Sequence, residues 1–403
     1  MSKKRLAILL MLLCAVLPLW MLRTVMAAPQ AVTRYVTPGG VDSGDCSSAA
    51  APCTTIQYAH DQAVGGDIIQ IAAGIYVENV VIGKDITLEG IDAATTIVDG
   101  NQTDRAIKIG YSPAVSVTIR GLTLRNGQGG LLTGSGPTLV ENCVIRNNSG
   151  SGTGLNRDGG GVYGLGPLTV HETSIFSNTS LYGGGVYART PLTVTRSAIY
   201  SNTAGEQGGG IHFGSIEDGR LVVQNSTISG NESATGGGGI YMPASGDVAE
   251  LVSTAVIFNR SMSTTVGGIG IANNIDVTMT HSVIAHNSGL PGALQCAGTG
   301  YVSAGHNLAS DGSCQLLAVG DLASSDPLLG PLQDNGGPTW THALDASSPA
   351  VDAGNNATCL SVDQRGWARP FDGDGDDIAV CDIGPYEFGV SDTHYLYLPA
   401  VIR

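Results

Sequence analysis

The stretch FDGDGDDIAVCD, residues 371–382, sets Asp372, Asp374 and Asp376 in alternation with glycine or acid and adds Asp377. Closely spaced carboxylates on a turn offer hard oxygen ligands to a cation such as calcium, the one cofactor the sequence raises. The EF-hand spacing is not met, because its sixth position is Asp377 rather than glycine and its twelfth is Ile383. An exposed acidic turn pinned by Cys381 accounts for the same residues. Glycoside hydrolysis needs two carboxylates flanking the scissile bond, and the nearest approach to a pair is Glu141 with Glu172. They do not share a slot: Glu141 stands seven and Glu172 six residues before the Asn that closes each repeat. Tyr163, Tyr187, His212 and Tyr241 do share one, each following a Gly-Gly-Gly-Val/Ile run. A column of such rings can contact a sugar or a partner protein, and it can equally serve as a stabilising ladder.

These residues depend on a repeat for their placement. LTVHETSIFSN (168–178), LTVTRSAIYSN (192–202), LVVQNSTISGN (221–231) and VTMTHSVIAHN (277–287) align in one register, with TLVENCVIRNN (138–148) and AELVSTAVIFN (249–259) more loosely. The closing residues Asn148, Asn178, Asn202, Asn231, Asn259 and Asn287 recur every 24 to 30 residues, a period typical of solenoids and arrays. Within each copy, alternating apolar residues, a polar pair and a second short apolar alternation read as two strands with a bend. The glycines then lead into a third. Three strands per repeat without helical periodicity imply an all-β fold: a right-handed parallel β-helix, or solenoid. Glycines permit sharp turns beside neighbouring coils. Asn tolerates left-handed backbone and can form an amide ladder at one corner. Thr173, Ser197, Ser226, Thr254 and Ser282 share a further slot with Cys143, an internal column of small side chains. TTIQYAHDQA (54–63) reads as a short capping helix, with Ile56, Ala59 and Ala63 on the face that covers the first coil.

Glycine accounts for 58 of 403 residues and charged residues for 13%, which excludes a helical bundle and a charge-rich disordered chain. Residues 1–28 have a basic start, an apolar run and small residues near Ala27 and Ala28, the pattern of a secretory signal peptide. No later stretch has the length of a membrane span. The net charge is −15, and removal of Lys3, Lys4, Arg5 and Arg23 makes it more negative still. Nucleic acid is therefore excluded as a partner. Seven cysteines remain in what would be an oxidising compartment. Their spacing leaves connectivity open, the economical pairing being Cys46 with Cys53, Cys296 with Cys314 and Cys359 with Cys381, which leaves Cys143 free.

PCTTIQYAHDQAVGGDIIQIAAGIYVENVVI resembles the N-terminal cap and first coil of the pectin-lyase-like β-helix superfamily. The Asn followed by Gly-Gly-Gly-Val/Ile is similar to the repeats of polymorphic outer-membrane proteins. GHNLASDGSC, DPLLGPLQDNGGPTWTHAL, SSPAVDAGNNATC, DQRGWARP and CDIGPYE resemble the choice-of-anchor Q domain. These resemblances imply a signal peptide (1–28), an N-terminal cap and first coils (29–100) and β-helix repeats (101–304). A loop-rich choice-of-anchor Q-like region (305–388) and a C-terminal tail (389–403) follow. They also imply a bacterial protein, secreted or displayed at the cell surface; with no stacked acid pair in the repeats, the leading reading is adhesion to a carbohydrate or surface protein without catalysis. Two alternatives remain: a polysaccharide lyase or glycoside hydrolase of the superfamily, and a structural module of the envelope. A lyase would need an arginine or lysine base beside an acidic calcium cluster. Arg120, Arg125 and Arg146 recur on adjacent repeats, and the sequence sets no acidic cluster beside them.

Overall fold

In each repeat, alternation of small apolar and polar residues makes strands whose inward side chains can stack on the same residues one turn away. The computed structural model describes residues 30–150, 157–215, 219–263 and 266–389. The expected signal peptide and all of the tail beyond Gly389 lie outside the described residues. The described residues from Val32 onward group as one compact unit. Three long sheets run along it. The first has eleven strands, from Thr33–Val36 to Tyr301–Ser303; the second has eleven, from Gly74–Val77 to Leu322–Ala323; the third has nine, from Val80–Ile82 to Leu294–Ala297. All their pairings are parallel, and a four-stranded parallel sheet lines one corner. The architecture is the right-handed parallel β-helix that the repeat implies, with almost no helix. No helix among the described residues is long and apolar enough to cross a membrane.

One coil shows how sequence makes structure. Leu168–His171 lies in the first sheet, Ser174–Phe176 in the second and Val186–Ala188 in the third. Leu168, Val170, Ile175 and Val186 point inward and are buried. Each aliphatic side chain so buried contributes about 1.5–3 kcal/mol. The next coil repeats them in register as Leu192, Val194, Ile199 and Ile211. The glycine triplet is forced by close approach. Gly183 has φ +62°, whereas a Cβ on Gly184 would meet the carbonyl oxygens of Gly209 and Thr203 at 2.6 Å. A Cβ on Gly185 would meet Gly210 O at 2.6 Å. Sequence reasoning set the left-handed backbone at the Asn; it falls one residue earlier, at Ser177, Ser201 and Phe258, with φ +53°, +52° and +55°. That turn sends the Asn side chain inward.

The N-terminal end is closed by helix α1 (Ile56–Gln62), capped by the Thr55 hydroxyl, with Ile56, Ala59 and Ala63 buried. The Glu78 carboxylate accepts from the Ile56 and Gln57 amides at 3.0 Å, tying the helix start to the first coil. Disulfide Cys46–Cys53 lies at this end and Cys296–Cys314 at the other. The coils do not stop at residue 304, for Leu308–Ala309 and Leu322–Ala323 still pair in the second sheet. Beyond them the chain turns back along the outside of that sheet. A hairpin of Leu329–Gln333 with Thr341–Leu344 begins this cover. Leu344, Ala350 and Ile383 then pack on the outward residues Ala255, Ile257, Val283, Ala285 and Leu308.

Candidate functional site

Where the cover ends, a groove of about 660 Å³ opens on the outer face of the second sheet, at its bend with the first. Strand register supplies its side chains. Glu89 lies opposite Arg120 in the first sheet, and Arg146 of the second lines the groove, with Arg125 and Asp99 stacked beside it outside the lining. Loop residues Ile91 and Asp92 form one wall, and Pro338 of the cover closes the far end. The sequence sets no acidic cluster beside Arg120, Arg125 and Arg146; the structure gives two of them a single acid each. Arg120 pairs with Glu89 at 3.0 Å, Arg125 with Asp99 at 2.9 Å, and Glu172 with Arg196 at 2.6 Å. The partners were missed because the coils at residues 68–99 lack the Asn and glycine marks that align the later repeats.

Burial pushes the Asp99 carboxyl up, but hydrogen bonds from Arg125, the Asn101 amide and Asn126 together hold it below the usual carboxylate range. A general acid needs the opposite displacement. Glu141 and Glu172 are not brought together as a catalytic pair: Glu141 ends a first-sheet strand opposite Arg120 and His171, whereas Glu172 occupies the bend and binds Arg196. Arg146 is half-buried and has no ion-pair or hydrogen-bond partner among the described residues. The Arg120 Nε is buried and likewise unpartnered.

The remaining candidates fall elsewhere. Asn148, Asn178, Asn202, Asn231, Asn259 and Asn287 form one column inside the coil, each Nδ2 donating to the next Oδ1 at 2.9–3.0 Å. The last donates to Gln295 Oε1 at 2.8 Å. Thr173, Ser197, Ser226, Thr254 and Ser282 are also buried in a column, with Cys143 at its head. Burial pushes the Cys143 thiol up to about 12. Cysteines 359 and 381 are joined.

The rings of Tyr163, Tyr187, His212 and Tyr241 follow one another with centroids 4.9, 4.8 and 5.7 Å apart. Tyr163 and His212 are buried, so these two cannot touch a ligand as the sequence suggested; Tyr187 and Tyr241 are half-buried. The covering parts are loop residues invisible to the repeat. Tyr182 stacks edge-on to His212, and the buried Arg105 guanidinium sits 5.8 Å from the Tyr163 ring, bonded to the Gly159 carbonyl. Burial lowers His212 to about 4.

At the acidic turn, the carboxylates within 4.8 Å of one another are those of Asp352, Asp372 and Asp374. Asp376 is not among them, its carboxylate accepting from the Ile378 amide; Asp377 enters only by its backbone amide, bonded to Asp372. Asp352 lies twenty residues upstream, beyond the reach of local spacing. Its Oδ1 is buried without a hydrogen bond, and burial followed by the Asp374 charge raises its carboxyl. An oxygen set of this kind fits a hard cation.

No protein-family model matches the chain, so neither the outer-membrane-protein repeat nor the choice-of-anchor Q resemblance is carried by one. No curated protein matches either. Among the solved structures similar to it are two proteins named for pectin or pectate. The pectate lyase Pel9A has 16% identity, with 89% of this chain and 97% of that one covered and a TM-score of 0.46. A pectin methylesterase from carrot has 12% identity, with 67% and 87% covered and a TM-score of 0.40. Identities this low assign none of their chemistry to residues of this chain.

Proposed function

We propose that this chain is a non-catalytic binding protein of the extracytoplasmic space, adhering to a carbohydrate or surface protein through the groove beside its own C-terminal cover. The observation that carries this reading is the pairing of the groove's charges. Glu89 and Glu172 in the groove, and Asp99 beside it, are each paired with an arginine, and Asp92 on the wall accepts from the Ala94 amide, leaving a cationic binding element in Arg146. Three disulfides support an oxidising compartment, and hence export.

The test is a glycan array and a surface-protein pull-down, followed by assays for new reducing ends and for unsaturated uronates. Binding without turnover supports the proposal. Turnover abolished by changing one acid or arginine would establish the alternative, a polysaccharide lyase or glycoside hydrolase. Tight envelope association in fractionation, with no ligand, would instead establish a structural module. Calcium belongs to the proposal as a structural ion of the cover, held by Asp352, Asp372 and Asp374.

A further inference from the structure

The cover shows how this β-helix holds a polypeptide on its flank. Residues at the bend between the first and second sheets recur in one slot: Asn142, Glu172, Arg196, Asn225, Ser253 and His281, all with φ between +43° and +50°. Four consecutive members bind the cover. Arg196 Nε donates to Gln364 O at 3.4 Å, and Asn225 Nδ2 to Val362 O at 2.7 Å. Arg369 Nη1 approaches Ser253 Oγ at 3.4 Å, and the Asn355 amide donates to His281 Nε2 at 2.9 Å. Three of these four contacts go to the main chain of a segment laid along the rod and one to a side chain, while outward residues of the second sheet supply an apolar bed. Thr227 adds a buried side-chain contact, donating to Gln364 Oε1 at 2.7 Å.

The same two features continue past the cover's edge with nothing on them. Asn142 occupies the slot of Asn225 and is exposed; its amide bonds His171 O, but its side chain bonds nothing among the described residues. The outward apolar positions of the second sheet that line this stretch are the half-buried Ile97 and Val144, with Ile91, 66% exposed, beside them. Loop and cover edge make this stretch a groove rather than a flat face. Arg146 gives it a cationic centre, Arg120 being paired with Glu89.

We infer that the groove takes an extended polypeptide segment that presents a carboxylate to Arg146 and aliphatic side chains to Ile91, Ile97 and Val144, its main chain bonded to Asn142. The inference rests on the binding reading above and names the partner class. It draws on continuity with the interface the chain already makes with itself, and on charge complementarity at Arg146. The affinity of such a segment comes from main-chain bonds and its selectivity from side-chain pockets, as in strand and peptide docking generally.

The test is selection of a displayed library of random twelve-residue peptides on the intact protein, with Arg146→Glu as the counter-selecting surface. Anisotropy titration of the enriched peptide follows, alongside polygalacturonate and xylan. The expected result is enrichment of peptides with Asp or Glu among aliphatic residues. Their binding weakens at least tenfold on Arg146→Glu and less on Asn142→Asp, and a peptide with Lys in place of the acid recovers affinity for Arg146→Glu. That charge swap distinguishes lost recognition from lost folding. Enrichment that ignores Arg146 overturns the inference. No enriched peptide, with a polysaccharide bound in an Arg146-dependent manner, overturns it and leaves the binding reading standing. Neither class bound overturns both.

Discussion

Replacing Asn202 by alanine should be among the most damaging single changes in the molecule, and its cost can be worked from the ladder. The Asn202 Oδ1 accepts from the Asn178 amide and from Asn178 Nδ2, both at 3.0 Å; its Nδ2 donates to Ile175 O at 2.9 Å and Asn231 Oδ1 at 3.0 Å. Asn178, Asn202 and Asn231 are all fully buried. Alanine therefore strands two N–H groups where water cannot reach and takes one donor from a carbonyl. Asn231 Oδ1 is spared, because the Asn202 amide still bonds it. At about 1–3 kcal/mol for each buried unsatisfied donor, the loss is about 2–6 kcal/mol. Asn202→Asp keeps the acceptor but turns an oxygen toward Ile175 O and Asn231 Oδ1, so its destabilisation deepens as pH rises and the carboxyl ionises. Urea unfolding followed by far-ultraviolet circular dichroism measures both, with outward-facing Thr193→Ala as a control expected within about 0.5 kcal/mol of the parent. A loss below about 1 kcal/mol for Asn202→Ala would refute the reasoning, since the stranded donors would then have found partners.

Burial lowers the folded-state value of His212 to about 4 from 6.5. The folded state therefore binds the proton less well than the unfolded chain, so stability holds above 6.5 and falls as pH drops toward 4. The total is about 3 kcal/mol for a displacement near 2.5 units. His212→Tyr, matching Tyr187 and Tyr241 in that slot, should flatten the midpoint-against-pH curve in this window; an unchanged slope would exclude His212 as its source. Arg365 is buried, paired with Asp363 and held between Trp367 and Tyr386 at 3.6 and 3.7 Å. Lysine lacks the flat fork, so Arg365→Lys should cost the cover about 2–4 kcal/mol. Limited proteolysis should then cut within 327–388 before the coils; uncut cover would contradict this. Calcium should raise the melting temperature and Asp374→Asn abolish the rise, whereas a rise kept by that variant would place the ion elsewhere.

Much of the fold was legible because a solenoid writes its geometry into a period. The inward alternation of Leu192, Val194 and Ile199, the Asn column and the glycine triplets all recur, and each recurrence restates the same coil. The functional face was less legible because its parts do not recur. Glu89 and Asp99 come from early coils without the repeat's marks, and Asp352 joins Asp372 and Asp374 only through tertiary packing. The burial of Tyr163 and His212 depends on loop residues such as Tyr182, which no repeat fixes. The cover is the largest such case. Gln364, Arg365 and Glu387 are polar and lie outside any repeat, yet they are buried, bonded to one another's backbone and to the flank of the rod.

The account depends most on the outer face of the second sheet being one docking surface, half occupied by the chain's own C-terminal region and half open. Val77 and Ile257 stand in the same column of that sheet, one 62% exposed and the other buried under the cover. Maleimide labelling of Val77→Cys and Ile257→Cys, with buried Cys143 as the silent internal thiol, measures the division directly. Position 77 should react more than about tenfold faster, since the thiol at 257 must wait for the cover to open. Equal rates would mean that the cover does not lie where it is described, and the groove defined by its edge would be lost with it.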